Sequence, residues 1–456
     1  MAKTIVETES RQSFPLVTHG SLDGLIAFRE RQAITVRQFL ADVDRVARLL
    51  GGGRQVLNLC GDRYRLMVGM AAAMVSGKTS LLPSCQTPAM LQALAAFAPD
   101  GVCLADGGCA PAVDLPVIRF PEDEAPQAQA DPAVPLIAGK LAVAYVFTSG
   151  STGLPVPHLK TWGSLVRNVR AEAERLGMVA GRSWTLVATV PPQHMYGLES
   201  SVLLAMQSGG AISAAPHFFP QDICAAINAA PRPRLLVTTP FHLRSLLAEG
   251  QDVPPVDLLL SATAPISESL VRSAERRFAA PLMEIYGCTE SGQLASRRPA
   301  LSTEWCLFPG VRLSFEHGRV WAGGGHVEGR VELGDVLEPV AEDRFLLQGR
   351  TADLVNIAGH RSSLAYLNHQ INAIPGVLDG VFFMPTDECP ERVARLTAFV
   401  VAPALDAESL NRAMRERIAP AFLPRPLVFV DALPRNATGK LPHEWLAALA
   451  RQAPVI

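Results

Sequence analysis

Alternating strand-like and helix-like segments are the feature that most restricts how this chain can fold. Short apolar runs typical of buried strands occur at 55–60, 141–147, 186–190, 235–238 and 256–260. Apolar residues at helical spacing occupy the segments beside them, at 40–50, 66–75, 162–176, 222–230, 241–248 and 268–278. The repeated change from strand to helix predicts an α/β fold, in which mostly parallel sheets are flanked by helices.

The pattern changes after Gly310. Short strand-like pieces separated by turns follow at 311–315, 319–321 and 330–333, and they predict a small β subdomain. Beyond residue 351 come a helical stretch, two strands, a helix and a strand, at 365–374, 381–384, 395–401, 407–418 and 427–430. Because 456 residues exceed the size at which a single core stops growing, we expect two domains. These are a large N-terminal domain at 1–350 and a small α+β C-terminal domain at 351–456.

Charge and hydropathy exclude several classes of partner. The formal net charge is -2 and the basic residues are scattered, so the chain offers no electrostatic case for nucleic acid or a membrane surface. The apolar run at 66–75 is too short to span a bilayer, and residues 1–17 lack the pattern of a signal peptide. The eight cysteines include no C-x-x-C pair. We expect a cytoplasmic protein with reduced thiols, no membrane insertion and small-molecule partners.

A run of small hydroxyl residues and glycines follows the predicted strand at 141–147. It reads TSGSTG and consists of Thr148, Ser149, Gly150, Ser151, Thr152 and Gly153. Backbone N–H and side-chain O–H groups exposed together suit a phosphate, and ligands bind at strand ends in open α/β sheets. The run is neither a Walker A loop nor a dinucleotide-binding motif. A Ser/Gly-rich surface turn is the alternative interpretation.

Four further stretches carry chemically suitable side chains: IYGCTESG at 285–292, LGD at 333–335, GRTADLVNIAGHR at 349–361 and LPRNATGKL at 433–441. The ring of Tyr286 could stack on a base, and the carboxylate of Glu290 could hold a magnesium ion. Asp335 could accept hydrogen bonds from ribose hydroxyls, and Arg350 offers a planar cationic fork. Taken singly, each of these residues could equally be a core, capping or solvated residue.

The order of these motifs is more specific than any one of them. From Ser149 to Glu290, Asp335, Arg350 and Lys440 the successive separations are 141, 45, 15 and 90 residues. This arrangement resembles the adenylate-forming (ANL) superfamily, which includes acyl-CoA synthetases, adenylation domains of nonribosomal peptide synthetases, and luciferases. The resemblance covers residues from about 143 to 441.

The resemblance implies a two-step reaction that uses ATP and Mg²⁺. A small carboxylic acid attacks the α-phosphate, pyrophosphate leaves, and an acyl- or aryl-adenylate forms. A thiol then captures the acyl group as a thioester, either on coenzyme A or on the phosphopantetheine of an acyl carrier protein. The large domain would be the AMP-binding domain, and the small domain would move between the two steps.

The resemblance also implies roles for individual residues. The run at 148–153 would wrap the β- and γ-phosphates, Tyr286 would stack on adenine, and Asp335 and Arg350 would contact the ribose. The catalytic residues would be Thr289 at the α-phosphate, Glu290 at magnesium and Lys440 between the acid and the α-phosphate.

The acid pocket and the thiol tunnel are implied in the same way. PPQHMYGLE at 191–199 supplies His194 and Gly197, SATAP at 261–265 supplies Ala262, and Gly287 completes the pocket. A core or capping histidine is an alternative for His194. AGHR at 358–361 would line the thiol tunnel with Gly359 and Arg361, for which an ordinary glycine turn and a solvated arginine are the alternatives.

Two positions depart from the pattern of the superfamily. The phosphate run normally continues with Pro-Lys, but here Val156 follows Pro155 and the nearest lysine is Lys160, so one phosphate contact is lost or moved. At the hinge, Ala352 stands where a charged residue is usual. The segments PQHMYGLE and LPRNATGKLP also resemble those of stand-alone ligases such as the ones in aryl polyene-type clusters. A catalytically weak nucleotide-binding sensor or scaffold is the alternative function, and the acid, the thiol acceptor and the oligomeric state stay open.

Overall fold

The computed structural model describes most of the chain at the level of helices, strands and side chains. The described residues are 12–29, 32–83, 85–107, 111–121, 131–149, 155–178, 182–248, 252–350, 354–357, 360–384, 396–435, 441 and 443–452. Their secondary structure alternates between strands and helices up to residue 288. The predicted α/β fold is therefore confirmed, and no helix in the described ranges is long and apolar enough to cross a membrane.

One sheet has six strands within the described residues, and their spatial order is β10-β9-β5-β4-β6-β7. Its strands are β4 (Gln55–Asn58), β5 (Thr79–Leu82), β6 (Val102–Ala105), β7 (Val117–Arg119), β9 (Ala142–Ser149) and β10 (Pro155–Thr161). All neighbouring pairs are parallel except β9 and β10, which run antiparallel and place β10 at the edge.

A second sheet has eleven strands in the described part of the chain. Its first nine are β2 (Leu25–Arg29), β3 (Gln32–Thr35), β11 (Thr185–Ala188), β12 (Ala211–Ser213), β13 (Arg234–Thr238), β14 (Leu258–Ser261), β15 (Leu282–Cys288), β16 (Gly292–Arg297) and β17 (Trp305–Leu307). The strands β21 (Asp335–Ala341) and β22 (Arg344–Arg350) complete it, in the order β21-β22-β17-β16-β15-β14-β13-β11-β12-β2-β3. The central pairs from β2 to β15 are parallel and the two ends are antiparallel.

Helices pack on these sheets, and all but one of those named next lie where the apolar periodicity predicts them. They span Val36–Leu49, Arg63–Val75, Pro88–Phe97, Trp162–Arg175, Pro220–Ala229, Pro240–Ala248 and Glu268–Phe278. Several begin at a side chain that caps the free N–H groups: Thr161, for example, accepts a hydrogen bond from the amide of Ser164 at 3.3 Å. The sequence pattern did not predict the helix Pro88–Phe97.

A helix of unusual form follows β11. It starts as Met195–Gly197, continues as a π-helical turn over Leu198–Leu203, and ends as an α-helix over Leu204–Ser208. The π-helical turn is fully buried. Apolar periodicity alone does not predict this change of helical form, which is frequent at functional sites.

One smaller sheet and one strand pair complete the described part of the first 350 residues. The predicted β subdomain is an antiparallel sheet of β18 (Val311–Glu316), β19 (Arg319–Gly324) and β20 (Val327–Leu333). Near the start of the described chain, β1 (Ser13–Pro15) pairs with β8 (Leu136–Ala138).

The last hundred residues form an α+β unit with its own core. Its strands are β23 (Leu354–Ile357), β24 (His360–Ser363), β25 (Asp379–Phe383), β26 (Thr397–Val401) and β27 (Leu427–Phe429), and its helices are Leu364–Asn372, Ala407–Arg415 and His443–Gln452, with a 3₁₀ turn at Pro420–Phe422. Two clusters of buried apolar side chains lie in this unit, and all of their members have numbers of 355 or higher. The largest cluster of the protein, in contrast, ends at Phe345.

Candidate active site

Two described candidate residues, Thr148 and Glu290, are linked through His158 where the edge of the six-stranded sheet approaches the eleven-stranded sheet. Strand β10 lies at this edge, and its Lys160 side chain donates a hydrogen bond to the backbone carbonyl of Glu290 at 3.0 Å. Glu290 lies in the short turn between β15 and β16. The two sheets therefore bring the start of the phosphate run and the TESG segment together, although 141 residues separate Ser149 from Glu290.

On the nucleotide side, Tyr286 and Asp335 are hydrogen-bonded to each other. The Tyr286 hydroxyl donates to Asp335 Oδ2 at 2.8 Å. The tyrosine ring is buried and packs against Trp305 and Phe345, with ring centroids 5.6 and 5.4 Å apart. The ring is thus fixed by aromatic packing on one side and by the carboxylate of Asp335 on the other.

The hairpin of β21 and β22 places Asp335 directly opposite Arg350. The two strands are antiparallel, and these residues are partners in the register of the ladder. Asp335 opens β21 and Arg350 closes β22, so both lie at the same open end of the hairpin. The 15-residue separation in sequence therefore becomes adjacency in space.

Glu290 is the exposed carboxylate of the site. Its side chain is 46% exposed, whereas that of His158, whose Nε2 lies 3.6 Å from Glu290 Oε1, is 14% exposed. Partial burial raises the pKa of Glu290. Hydrogen bonds from its own backbone amide and from the Cys288 thiol lower the pKa, as do the electrostatic effects of His158 and Lys160. The lowering effects are larger, so the pKa is below the usual value. Glu290 is therefore ionised at neutral pH.

The residues around Glu290 fit a magnesium ion that is also held by phosphates. Among the described residues, no group of three or more His, Cys, Asp or Glu side chains could hold a metal ion by itself. Mg²⁺ is commonly bound through one or two carboxylates together with substrate phosphates rather than by an all-protein cage. One exposed, ionised carboxylate beside the start of a phosphate run has this chemistry.

The phosphate run begins where β9 ends. Thr148 and Ser149 belong to β9, and Thr148 Oγ1 shares a hydrogen bond with His158 Nε2 at 3.0 Å. The predicted phosphate-binding residues Gly150, Ser151, Thr152 and Gly153 lie outside the described residues.

Two predicted pocket residues, Gly197 and Gly287, are glycines because the backbone approaches them closely. A Cβ atom on Gly197 would lie 2.0 Å from the carbonyl oxygen of Pro191, and one on Gly287 would lie 2.2 Å from that of Gly292. Any side chain at either position would therefore displace backbone. Gly287 is exposed, and Thr289, two residues on, is half-buried.

The segment that contains His194 is tied to the ends of two parallel strands. The Tyr196 hydroxyl lies 3.1 Å from the carbonyl of Thr238 and 3.0 Å from that of Leu260, at the carboxyl ends of β13 and β14. His194 itself precedes the helix and accepts a backbone hydrogen bond from Leu198 at 2.8 Å. The predicted acid pocket thus lies at the edge of the sheet where ligands bind in α/β folds.

The turn after β14 keeps a glycine-like backbone without glycine. Ala262 is buried, and the next residue, Thr263, has a φ of 79°. A β-branched residue in the left-handed region is strained. The turn therefore holds Thr263 in a backbone conformation that glycine favours.

A buried polar cluster lies directly beneath the TESG turn. It consists of Lys160, Asn168, Glu172, Glu199, Ser200, Gln293 and His326. Gln293 donates to Ser200 at 2.8 Å, and Asn168 donates to Glu199. Burial raises the pKa of Glu172 to about 7, and burial, opposed by Lys160, raises that of Glu199 to about 8. Burial likewise lowers the pKa of His326 to about 4.

The sequence analysis did not single out most of this cluster, nor His158. No spacing rule connects the helix Trp162–Arg175, the π-helical turn and β16, which supply its members. An available signal was the presence of ionisable residues, Glu172 and Glu199, inside otherwise apolar helical patterns.

The small C-terminal unit supplies the remaining candidates. Arg361 lies in β24, where its backbone pairs with Asn356. Gly359 and Lys440 lie outside the described residues, as does Ala352 at the hinge.

Comparison with known proteins identifies the family. Residues 22–313 match the family model described as AMP-binding enzyme, and residues 386–440 match the model described as AMP-binding enzyme C-terminal domain. The chain belongs to the AMP-binding enzyme family. The predicted membership of the adenylate-forming superfamily and the predicted function as an ATP-dependent adenylate-forming ligase are confirmed.

Several characterised members of the AMP-binding enzyme family are similar in sequence. The 4-coumarate–CoA ligase of Rhodobacter capsulatus is 30% identical over 307 residues, which cover 65% of this chain and 74% of the relative. The 3-hydroxybenzoate–CoA/4-hydroxybenzoate–CoA ligase of Thauera aromatica is 25% identical over 343 residues, which cover 66% of this chain and 65% of the relative.

Solved structures confirm the fold over almost the whole chain. ATP-bound MatB from Rhodopseudomonas palustris superposes with a TM-score of 0.81 at 19% identity and covers 95% of this chain and 97% of its own. The anthranilate CoA ligase AuaEII in complex with anthranoyl-AMP gives a TM-score of 0.80 at 15% identity, with 96% of this chain and 99% of its own covered.

Proposed function

We propose that this protein is an AMP-forming coenzyme A ligase for an aromatic carboxylic acid. The observations that carry the proposal are the hydrogen bond between Tyr286 and Asp335 and the position of Glu290, whose carboxylate lies 3.6 Å from His158, the hydrogen-bond partner of Thr148. The acid class comes from the relatives, whose names include ligases for 4-coumarate, indoleacetate and hydroxybenzoate.

In this proposal, the residues of the large domain hold and orient the nucleotide. Asp335 accepts hydrogen bonds from the ribose hydroxyls, and its bond to Tyr286 keeps the carboxylate and the aromatic ring in a fixed relation. Thr289 and Glu290 lie at the accessible mouth of the site, where Glu290 holds Mg²⁺. A magnesium ion held by Glu290 would supply positive charge next to the phosphates, which would reduce their repulsion of the carboxylate.

We assign the acid to the space beside the helix that starts at Met195. Tyr196 holds this segment against β13 and β14, and Gly197 permits the close approach to Pro191. His194, Ala262 and Gly287 are the proposed walls. An aromatic acid suits such a pocket because a planar ring buries a large apolar area without loss of many rotamers.

We assign the second step to the small C-terminal unit. Its separate apolar core supports a division at 350/351, with 1–350 as the AMP-binding domain and 351–456 as the mobile domain. Lys440 serves adenylate formation, and Gly359 and Arg361 serve the thiol. Coenzyme A is the proposed acceptor because the similar enzymes are named as CoA ligases.

The test is ATP–pyrophosphate exchange followed by thioester detection. The purified protein is assayed with cinnamic, benzoic, short-chain and medium-chain acids, and the accepted acid is then offered with coenzyme A or with a holo acyl carrier protein. We expect exchange with an aromatic acid and a coenzyme A thioester. Exchange with aliphatic acids alone would overturn the acid class, and transfer to the carrier protein alone would overturn the acceptor. Nucleotide binding without exchange for any acid would favour the sensor or scaffold.

A further inference from the structure

One face of strand β10 carries His158 and Lys160, the two side chains of this strand that contact Glu290. Alternate residues of a strand point to the same side, so Val156, His158 and Lys160 share a face. Exposure falls along this face from 42% at Val156 to 5% at Lys160. Val156, which stands where the superfamily usually has a lysine, therefore lies at the exposed end of the strand. Lys160 lies at the buried end.

Lys160 and His158 contact two different parts of Glu290. The Lys160 ammonium donates to the Glu290 carbonyl oxygen at 3.0 Å, and His158 Nε2 lies 3.6 Å from the Glu290 carboxylate. His158 Nε2 also shares a hydrogen bond of 3.0 Å with Thr148 Oγ1. One strand thus holds the backbone of Glu290 by a hydrogen bond and places an imidazole next to its carboxylate.

The burial of Lys160 excludes a direct phosphate contact in this arrangement. Its ammonium is enclosed beneath the TESG turn, and the acidic groups that act on it electrostatically are Glu199, Cys288, Glu290 and Glu328. Four residues along β10 correspond to about 13 Å, so Lys160 does not replace a lysine at position 156. Lys160 therefore does not take over the phosphate contact of the usual lysine; its ammonium contacts Glu290 instead.

We propose that His158 and Lys160 are positioning residues that hold Glu290 in the orientation in which its carboxylate binds Mg²⁺. The inference rests on the role of Glu290 in the proposed function. Mg²⁺ demands near-ideal octahedral geometry, and a carboxylate that is already oriented loses less freedom when the ion binds. Groups that orient a metal ligand affect metal affinity by about 10- to 100-fold.

The test measures metal affinity without catalysis. Mn²⁺ binding to the full-length protein is titrated by electron paramagnetic resonance in the presence of saturating α,β-methylene-ATP. We expect His158→Leu and Lys160→Met to raise the Mn²⁺ dissociation constant about tenfold. Nucleotide affinity in EDTA should change less than twofold. Leu159→Met, on the opposite and exposed face of the same strand, is the matched control and should change neither value.

A double-mutant comparison with Glu290→Gln decides whether the effect passes through Glu290. In the Glu290→Gln protein, His158→Leu should change the Mn²⁺ dissociation constant by less than twofold. The inference would be overturned if His158→Leu weakened Mn²⁺ binding another tenfold in the Glu290→Gln protein. It would also be overturned if the variants weakened nucleotide binding in EDTA as much as they weaken Mn²⁺ binding. Lys160→Arg keeps a donor and should retain affinity within about threefold, and the His158 variants test the inference if Lys160→Met does not fold. Absence of acid-dependent exchange with these metal affinities intact would refute the proposed function alone.

Discussion

The buried carboxyl group of Glu172 gives a quantitative prediction about stability and pH. Glu172 is fully buried in the helix Trp162–Arg175, and burial raises its pKa from 4.5 to about 7. Ser200 and Gln293 lie against it and lower the pKa in part, and the ionisable groups that act on it electrostatically are Glu199 and Tyr196. Glu172 is therefore protonated in the folded protein at acidic pH.

The direction and the size of the pH effect on the free energy of unfolding follow from the linkage between protonation and folding. Below pH 4.5 both the folded and the unfolded chain carry protonated Glu172, so the group costs no stability. As the pH rises to 7, the unfolded chain ionises first, and the folded state loses about 3 kcal/mol relative to it, at about 1.4 kcal/mol per pKa unit. Glu172→Gln cannot ionise and keeps a similar shape, so it removes this loss.

The assay is urea unfolding of wild type and Glu172→Gln at pH 5 and pH 8. We expect the variant to gain about 2–3 kcal/mol relative to wild type between the two pH values, since part of the loss is already present at pH 5. Glu174→Gln, two residues along the same helix and exposed, is the control and should show no such gain. The same difference in free energy of unfolding at both pH values would refute the reasoning.

Three further predictions concern catalysis, nucleotide binding and helix capping. Lys440→Ala should lose pyrophosphate exchange by at least about 100-fold with an unchanged melting temperature, because it removes the single charge proposed between acid and α-phosphate; near-normal exchange would refute that role. Tyr286→Phe should raise the KM for ATP about fivefold, the value of one net hydrogen bond, while the KM for the acid stays constant. Ala279→Gly should stabilise the protein by about 1 kcal/mol in thermal or urea unfolding, because Ala279 ends its helix with a φ of 53°.

Apolar periodicity predicted most of the regular structure. The helix Glu268–Phe278 has the predicted bounds, and the strands at 55–60 and 235–238 differ from the structure by one or two residues. These elements are strongly periodic and begin or end at clear caps or turns, such as Ser267 and Ala279. The fold class and the family could be recognised because the motifs lie at the ends of these elements.

The parts that could not be predicted depend on contacts between distant segments. The π-helical turn Leu198–Leu203 has the same apolar composition as an α-helix, so no local pattern distinguishes them. The buried polar cluster joins residues 160 to 326, and its members are ordinary polar residues in sequence. His158 lies in β10, which pairs with β9, and its contact with Glu290 spans 132 residues. Such proximity is a property of the packed sheets.

The β21–β22 hairpin has a consequence for the construction of chimeric enzymes. Asp335 and Arg350 are cross-strand partners, and Arg350 is the last residue before the proposed domain boundary. A junction placed after residue 350 transfers a foreign C-terminal unit without separating this pair. A junction inside Arg344–Arg350 would instead pair β21 with a strand that is partly foreign. Because side chains alternate between the two faces of a strand, a mismatch of one residue there would turn every side chain of the strand to the opposite face. The hairpin thus marks a junction at which the C-terminal unit can be exchanged while Asp335 and Arg350 keep their native backbone pairing.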